Sequence, residues 1–352
     1  MFIEAIRKIV MGESLTRNEA RNAANGIMRG EASPAQIAAL LVGLRMKGET
    51  VAEVAGFAQA MRENVLPVAA KSAPLLDTCG TGGSAFRVFN VSTAAAFVAS
   101  AAGVVVAKHG NRSVSGVCGS ADVLEALGVR IDLTPAQVAG CIDEIGIGFL
   151  FAAAHHPAMK QASGPRREIG IRSIFNLVGP LTNPAGAIWQ VMGVYDSHLC
   201  ELAAGALREL GSERAFVFHG EIGLDEIATI GPTRVCELQN SKITEHTLTR
   251  RDFGLPDAEP DAADLAPGAT PAENAALLRS VLDPNGEGRA ARAQRELVAV
   301  NASAALYVSG QAESWRHGMD RANEILASGA ALQKLNALIE FTQKITTIRS
   351  GL

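Results

Sequence analysis

The chain has 352 residues, 48% of them apolar, and a formal net charge of −4 at pH 7. That length exceeds one average domain and allows a sizeable core, and the mild acidity argues against a chain-wide basic surface for nucleic acid. No apolar stretch is long enough to span a membrane, and the start MFIEAIRKIV carries Glu4, Arg7 and Lys8 inside an amphipathic pattern, unlike a signal peptide. Five cysteines (Cys79, Cys118, Cys141, Cys200, Cys236) form no CxxC pair. They offer neither a zinc site nor a disulfide framework and suit a reducing, cytoplasmic setting.

The chain opens with a helical pattern. Phe2, Ile6, Ile9 and Val10 make one apolar stripe, and Ala20, Ala23, Ala24, Ile27 and Met28 a second, opened by the capping box Thr16-x-x-Glu19. Ser33-Pro34 starts a third helix, with Ile37, Leu40, Leu41 and Leu44 on one face. Thr50-x-x-Glu53 starts a fourth, with Val51, Val54, Ala55, Ala58 and Met61 as its stripe. Four short helices of this kind bury their stripes only against each other or a partner chain, which predicts a helical bundle and a possible dimer surface.

Further on the pattern changes. Short apolar runs at 104–106, 149–151, 191–194 and 215–218 alternate with helical stretches at 120–127 and 134–145. Strands alternating with helices predict an α/β domain. The predicted fold class is therefore α/β, with a helical unit over residues 1–70 and an α/β unit over 71–352. Residues 254–274, rich in Pro, Ala and Asp, read as a surface loop that ends at a helix start, Thr270-Pro271-Ala272-Glu273.

The segment DTCGTGGSAFRVFNVST (77–93) raises the question of function. A Walker A loop needs Gly-Lys-Ser/Thr, which is absent. A dinucleotide fingerprint is formally matched by Gly80-Thr81-Gly82-Gly83-Ser84-Ala85. It also needs an immediate helix and an acid about 20 residues on. Here Phe86-Arg87-Val88-Phe89 intervenes, and the next strand ends in Lys108-His109. What remains is a glycine nest followed by Asn90-Val91-Ser92-Thr93 at a helix start, where free N–H groups and hydroxyls suit an anion. A second loop supplies Lys108, His109, Asn111, Arg112, Ser113, Ser115 and Ser120. A third places Asp225 beside Glu226. Magnesium is typically held by one or two carboxylates together with substrate phosphates.

The loops GTGG, NVST, KHGNRS, GSADVLEALG, HHPAMK, GIRSIFNLVGPLTNPA and GLDEIA occur in an order and spacing that resemble the anthranilate phosphoribosyltransferase family, over roughly residues 1–345. The resemblance implies a small N-terminal α-helical domain hinged to a large α/β domain with a central, mostly parallel sheet. It implies that helices from about 155–190 join the helical unit, and that a homodimer forms through the helical parts. The implied reaction is phosphoribosyl pyrophosphate plus anthranilate giving phosphoribosyl-anthranilate and pyrophosphate, in tryptophan biosynthesis. Carried onto this chain, Gly80, Thr81, Gly82, Gly83, Ser84, Asn90, Val91, Ser92, Thr93, Lys108 and Ser120 would bind the sugar donor. Gly80, His109, Asn111, His156 and Arg166 would bind anthranilate. Ser92, Asp225 and Glu226 would hold Mg2+. No single catalytic nucleophile is implied. Arg167 reads as a surface ion-pair partner, and 177–186 as a rigid turn lining the acceptor pocket.

The chain departs from the family pattern at Ser84-Ala85, where Asp-Gly is usual, and at Val88, Val117 and Met159. Ser84 removes a carboxylate and Val88 a hydroxyl, while Arg87 adds a cation to the same turn. Two other readings compete. A pyrimidine nucleoside phosphorylase has little need of Asp225-Glu226. A non-catalytic nucleic-acid-binding relative needs a basic surface that this composition does not supply.

Overall fold

The computed structural model describes residues 2–113 and 116–347. Ser115, one of the hydroxyls expected in the second loop, lies outside the described residues. Four helices open the chain: Phe2–Val10 (α1), Arg17–Met28 (α2), Pro34–Lys47 (α3) and Val51–Glu63 (α4). Thr16, Ser33 and Thr50 accept from the N–H three residues on, and Glu19, Gln36 and Glu53 reach back to the cap N–H. Each such cap contributes about 1 kcal/mol. α1 packs on α3 and α2 on α4. Val10, expected in the buried stripe, is exposed instead, while Phe2 and Ile9 are buried.

Glu53 does more than cap. Its carboxylate is fully buried and accepts from the Leu15 N–H at 2.8 Å, from the Thr50 N–H and hydroxyl, and from Lys47 Nζ at 3.0 Å. One side chain thus pins the α1–α2 connection to the start of α4.

Seven strands follow: Leu76–Gly80 (β1), Val106–Gly110 (β2), Ile147–Phe151 (β3), Trp189–Gly193 (β4), Arg214–Gly220 (β5), Thr233–Gln239 (β6) and Lys242–Leu248 (β7). They form one sheet in the order β3-β2-β1-β4-β5-β6-β7. The β3-to-β5 ladder is parallel, and β6 and β7 add antiparallel pairs. Buried parallel strands are apolar on both faces, which is why four of them stood out as short runs. β2 lies further along than its apolar run suggested and takes in Lys108 and His109, both buried. The β6–β7 hairpin escaped the reading because its turn, Asn240-Ser241, holds two positive-φ residues without a glycine.

The intervening helices are Val91–Ala101 (α5), Ser120–Ala126 (α6), Pro135–Ile145 (α7), Ala152–His155 (α8), Lys160–Ile169 (α9), Ile174–Val178 (α10) and Leu199–Glu209 (α11). Pro271–Leu282 (α12), Arg289–Val308 (α13), Trp315–Ser328 (α14) and Ala330–Thr347 (α15) close the chain. α5 and α13 cover one face of the sheet, and α11, backed by α4, covers the other. α9 packs on α2 and α3, and α10 on α4. Residues 254–274 are mainly irregular, yet a short turn, Ala262–Leu265, buries Leu265 in the core. No helix among the described residues is long and apolar enough to cross a membrane.

Candidate active site

The chain runs outward from β1 through β2 to β3, then returns to place β4 on the other side of β1. The loops after β1 and β4 therefore diverge, and such a switch point leaves a crevice at the carboxyl ends of the strands. Gly80 ends β1 and Gly193 ends β4. Thr81 N–H donates to Gly193 O at 2.9 Å, and Tyr195 N–H to Thr81 Oγ1 at 3.0 Å.

Into this crevice the loop between β5 and β6 brings Asp225 and Glu226. Gly82 N–H donates to Asp225 Oδ2 at 2.9 Å. The Ser84 hydroxyl donates to Asp225 Oδ1 and accepts from the Asp225 N–H. Glu226 Oε1 accepts from the Ser92 N–H at 3.0 Å. Lys108, at the middle of β2, donates to Thr78 O and lies 3.4 Å from Ser92 Oγ. Asn90 Nδ2 ties the glycine loop to Cys118 O in the loop before α6, and Ser120 Oγ lies 3.4 Å from Asn111 O. The three expected turns converge.

The start of α5 corrects one expectation. Its first N–H groups are not free: Val91 donates to Phe89 O, Ser92 to Glu226, and Thr93 and Ala94 to Asn90 O. Glu226 supplies the negative charge that a helix N-terminus attracts. Burial and the neighbouring Asp225 charge push the Glu226 carboxyl above the usual carboxylate range, with Lys108 opposing. Burial pulls the Lys108 ammonium down, against the attraction of Asp77 and Glu226. Within the glycine loop, Gly83 and Ser84 N–H have no protein partner among the described residues. The Thr93 hydroxyl is buried without a hydrogen bond.

The donor chemistry fits magnesium. Asp225, Glu226 and the Ser92 hydroxyl present hard oxygens. The crowded carboxylates, with Glu226 pushed upward, favour a nearby cation. Among the described residues no three His, Cys, Asp or Glu side chains form a closed cage, so substrate oxygens would share the ion.

A second group of the expected residues is built separately. His109 and His156 are buried with ring centroids 5.2 Å apart, and the Nε2 of each is without a partner. Burial, then the His156 charge, drives the His109 pKa well below the ordinary value. Burial, then His155, takes His156 down to about 4. Both rings are therefore neutral near pH 7. Arg166 lies on α9, half-buried, its Cζ 5.4 Å from the centroid of the Phe175 ring. Burial lowers its pKa, and no carboxylate pairs with it among the described residues. Arg167 is exposed and also lacks the ion-pair partner expected for it there. The Asn111 side chain accepts from the Arg112 N–H.

Several residues of the site were missed by the sequence reading. Asp77, fully buried, accepts from the His109 N–H at 3.0 Å and from Asn183 Nδ2 at 2.9 Å. Asn183 also donates to Ala107 O at 2.8 Å, so the 177–186 turn staples β1 to β2. The one signal was a carboxylate inside an apolar run, Leu75-Leu76-Asp77. Arg172 Nη2 donates to Gly83 O at 2.6 Å, and nothing in the local sequence announced it.

Known proteins resemble this chain over nearly its whole length. Residues 3–65 match the model of the glycosyl transferase family helical bundle domain, and residues 72–332 that of the family's a/b domain. The anthranilate phosphoribosyltransferase of Moorella thermoacetica is 51% identical over 338 residues, covering 96% of this chain and 97% of that protein. The crystal structure of the Thermus thermophilus anthranilate phosphoribosyltransferase superposes with a TM-score of 0.89 at 43% identity, covering 96% of this chain and 99% of that one. The Saccharomyces cerevisiae anthranilate phosphoribosyltransferase in complex with PRPP and Mg gives 0.86 at 26% identity, covering 97% and 98%. The chain is a glycosyltransferase-type enzyme and belongs to the anthranilate phosphoribosyltransferase family.

Proposed function

We propose that the chain transfers the phosphoribosyl group of phosphoribosyl pyrophosphate to the amine of anthranilate, releasing pyrophosphate. The observation that carries this reading is the closure of Gly82, Ser84, Ser92, Asp225 and Glu226 into one hydrogen-bonded cluster beside buried Lys108. Departure of the diphosphate leaves an oxocarbenium-like sugar, the same electronic problem that glycosidases face. Magnesium, held by Asp225, Glu226 and Ser92 together with the diphosphate, would neutralise the leaving group's charge.

The remaining work is positioning and electrostatics, with no covalent nucleophile. Lys108 sets its side-chain nitrogen beside Ser92, and the Gly83 and Ser84 N–H groups, without a protein partner among the described residues, are donors for phosphate oxygens. One well-aimed donor is worth ~3 kcal/mol in such a site. Arg166, a half-buried cation with no acid partner among the described residues, supplies the fork that a carboxylate ortho to an amine requires. The neutral rings of His109 and His156 border the acceptor's path without adding charge.

A fluorescence assay tests the reading. Anthranilate emission should fall only when both phosphoribosyl pyrophosphate and magnesium are present. Folded protein that leaves emission unchanged under those conditions would refute it.

The same reading includes a homodimer formed through the helical unit. Ile3, Val10 and Met11 at α1 and Met46 on α3 are 58%, 75%, 77% and 83% exposed, on two helices that pack together. Apolar side chains this exposed on adjacent helices suit a self-complementary interface. Light scattering of the unchanged chain and of Met46→Glu decides it: a dimer that becomes a monomer supports the interface, and an unchanged mass for both does not.

A further inference from the structure

We propose that Arg172 is a positioning residue that turns the Gly83–Ser84 peptide so that its N–H meets the diphosphate of the sugar donor. The proposal rests on the phosphoribosyl-transfer reading. Arg172 lies three residues beyond the end of α9, in the segment that also carries Arg166. Its Nη2 donates to Gly83 O at 2.6 Å, and its Cζ lies 4.0 Å from the centroid of the Tyr195 ring. No carboxylate pairs with it among the described residues. Its charge is directed at a neutral carbonyl and an aromatic face.

The peptide geometry makes this contact consequential. A trans peptide is planar, and its C=O and N–H point in opposite directions. Holding Gly83 O on Arg172 therefore points the Ser84 N–H the other way, and that N–H has no protein partner among the described residues. The loop cannot fix this orientation alone, because Gly82 and Gly83 have φ of +66° and +80° and no side chains to pack. A methyl added at Gly83 would lie 2.9 Å from Arg172 Nη2, so the guanidinium occupies the space a side chain would take.

Arg172 is in turn held from the far side. Tyr195 follows β4, and its own N–H donates to Thr81 Oγ1 at 3.0 Å, which closes a ring from glycine loop to arginine to tyrosine and back. Two of the loop's other ties, from Gly82 and Ser84, end on Asp225. Asp225 is wanted by the metal ion, so those bonds compete with the donor. The Arg172 tie does not, and it persists when the donor arrives.

The test compares Arg172→Ala, Arg172→Lys and Tyr195→Ala with the unchanged enzyme. Loss of a charge-assisted hydrogen bond predicts that Arg172→Ala raises the KM for phosphoribosyl pyrophosphate by about tenfold to a hundredfold. The KM for anthranilate should stay within about twofold. Lysine can still donate to the carbonyl, so Arg172→Lys should recover most of the loss, and Tyr195→Ala should reproduce part of it. In the ligand-free protein, amide exchange at Gly82 and Phe86 should quicken in Arg172→Ala, and protection of the loop by magnesium pyrophosphate should weaken. An unchanged donor KM, an equal rise in both KM values, or a raised donor KM with unchanged exchange each overturns the proposal. Were the unchanged chain to show no transfer at all, the parent reading would fail separately. The exchange and pyrophosphate measurements would still decide the role of Arg172.

Discussion

Replacing Gly193 with alanine should uncouple the site while leaving the rest of the fold in place. Gly193 ends β4, and its φ is one that any residue can adopt, so the glycine is there for proximity rather than for backbone freedom. A Cβ at that position would stand 1.7 Å from Asp225 O and 2.5 Å from Asp225 C. Optimal separation for such atoms is about 3.5 Å, so the Asp225 backbone must retreat by roughly 2 Å. β4 cannot give way in its place, because it is hydrogen-bonded to β1 on one side and β5 on the other. A shift of that size breaks the 2.9 Å bond from Gly82 and the 3.0 Å bond between Ser92 and Glu226. Misplacement by 1 Å can cost about a hundredfold in rate, so Gly193→Ala should lower kcat/KM by at least ~100-fold. Overpacking should cost only about 1–3 kcal/mol of stability. The fluorescence assay reads the first effect and urea unfolding the second. Gly164→Ala is the control, since a Cβ there meets nothing within 4 Å. Near-normal kcat/KM in a folded Gly193→Ala enzyme would refute the claim that this close approach sets the carboxylates.

Arg166→Ala should raise the KM for anthranilate by ~10-fold or more while changing that for the sugar donor little; equal effects on both would remove Arg166 from the acceptor site. Glu53→Ala strips four donors of their shared acceptor and strands Lys47 in the interior, so urea unfolding should show a loss of about 3–5 kcal/mol. A loss far below that would mean that water reaches the pocket. Asp77 gives a pH signature: burial, opposed mainly by the Asn183 hydrogen bond, holds its carboxyl up at about 6. Folding then favours the protonated form. Its contribution is whole below the ordinary value near 4, and about 3 kcal/mol is lost as pH rises through 6. Unfolding measured at pH 4 and pH 7 should show that component in the unchanged chain and not in Asp77→Asn; parallel pH profiles for the two would contradict it.

Much of this architecture was legible in one dimension. Thr16, Ser33 and Thr50 cap their helices through bonds to residues three positions away, and a bond of that span depends only on the local sequence. The glycine nest, Lys108 and the paired acids were each visible as residue types suited to an anion and its counter-ion. Their convergence was inferred from the order of the loops and is realised by the strand order β3-β2-β1-β4-β5.

Tertiary structure alone decided which partners those groups take. The Ser92 N–H faces Glu226 rather than standing free, the Asn183 side chain staples Asp77 to Ala107, and Arg172 reaches Gly83 across 89 residues. None of these pairs has a spacing that local sequence can encode, because each depends on where two strands or loops are brought by burial of surfaces elsewhere. The hairpin at Asn240-Ser241 was hidden for a related reason: pairing along β6 and β7 sustains a left-handed turn that its own residues only weakly favour. The sequence determined the helices and the chemical inventory, through bonds that close within a few residues. The packed sheet decided the site, by fixing how near Gly193 lies to Asp225.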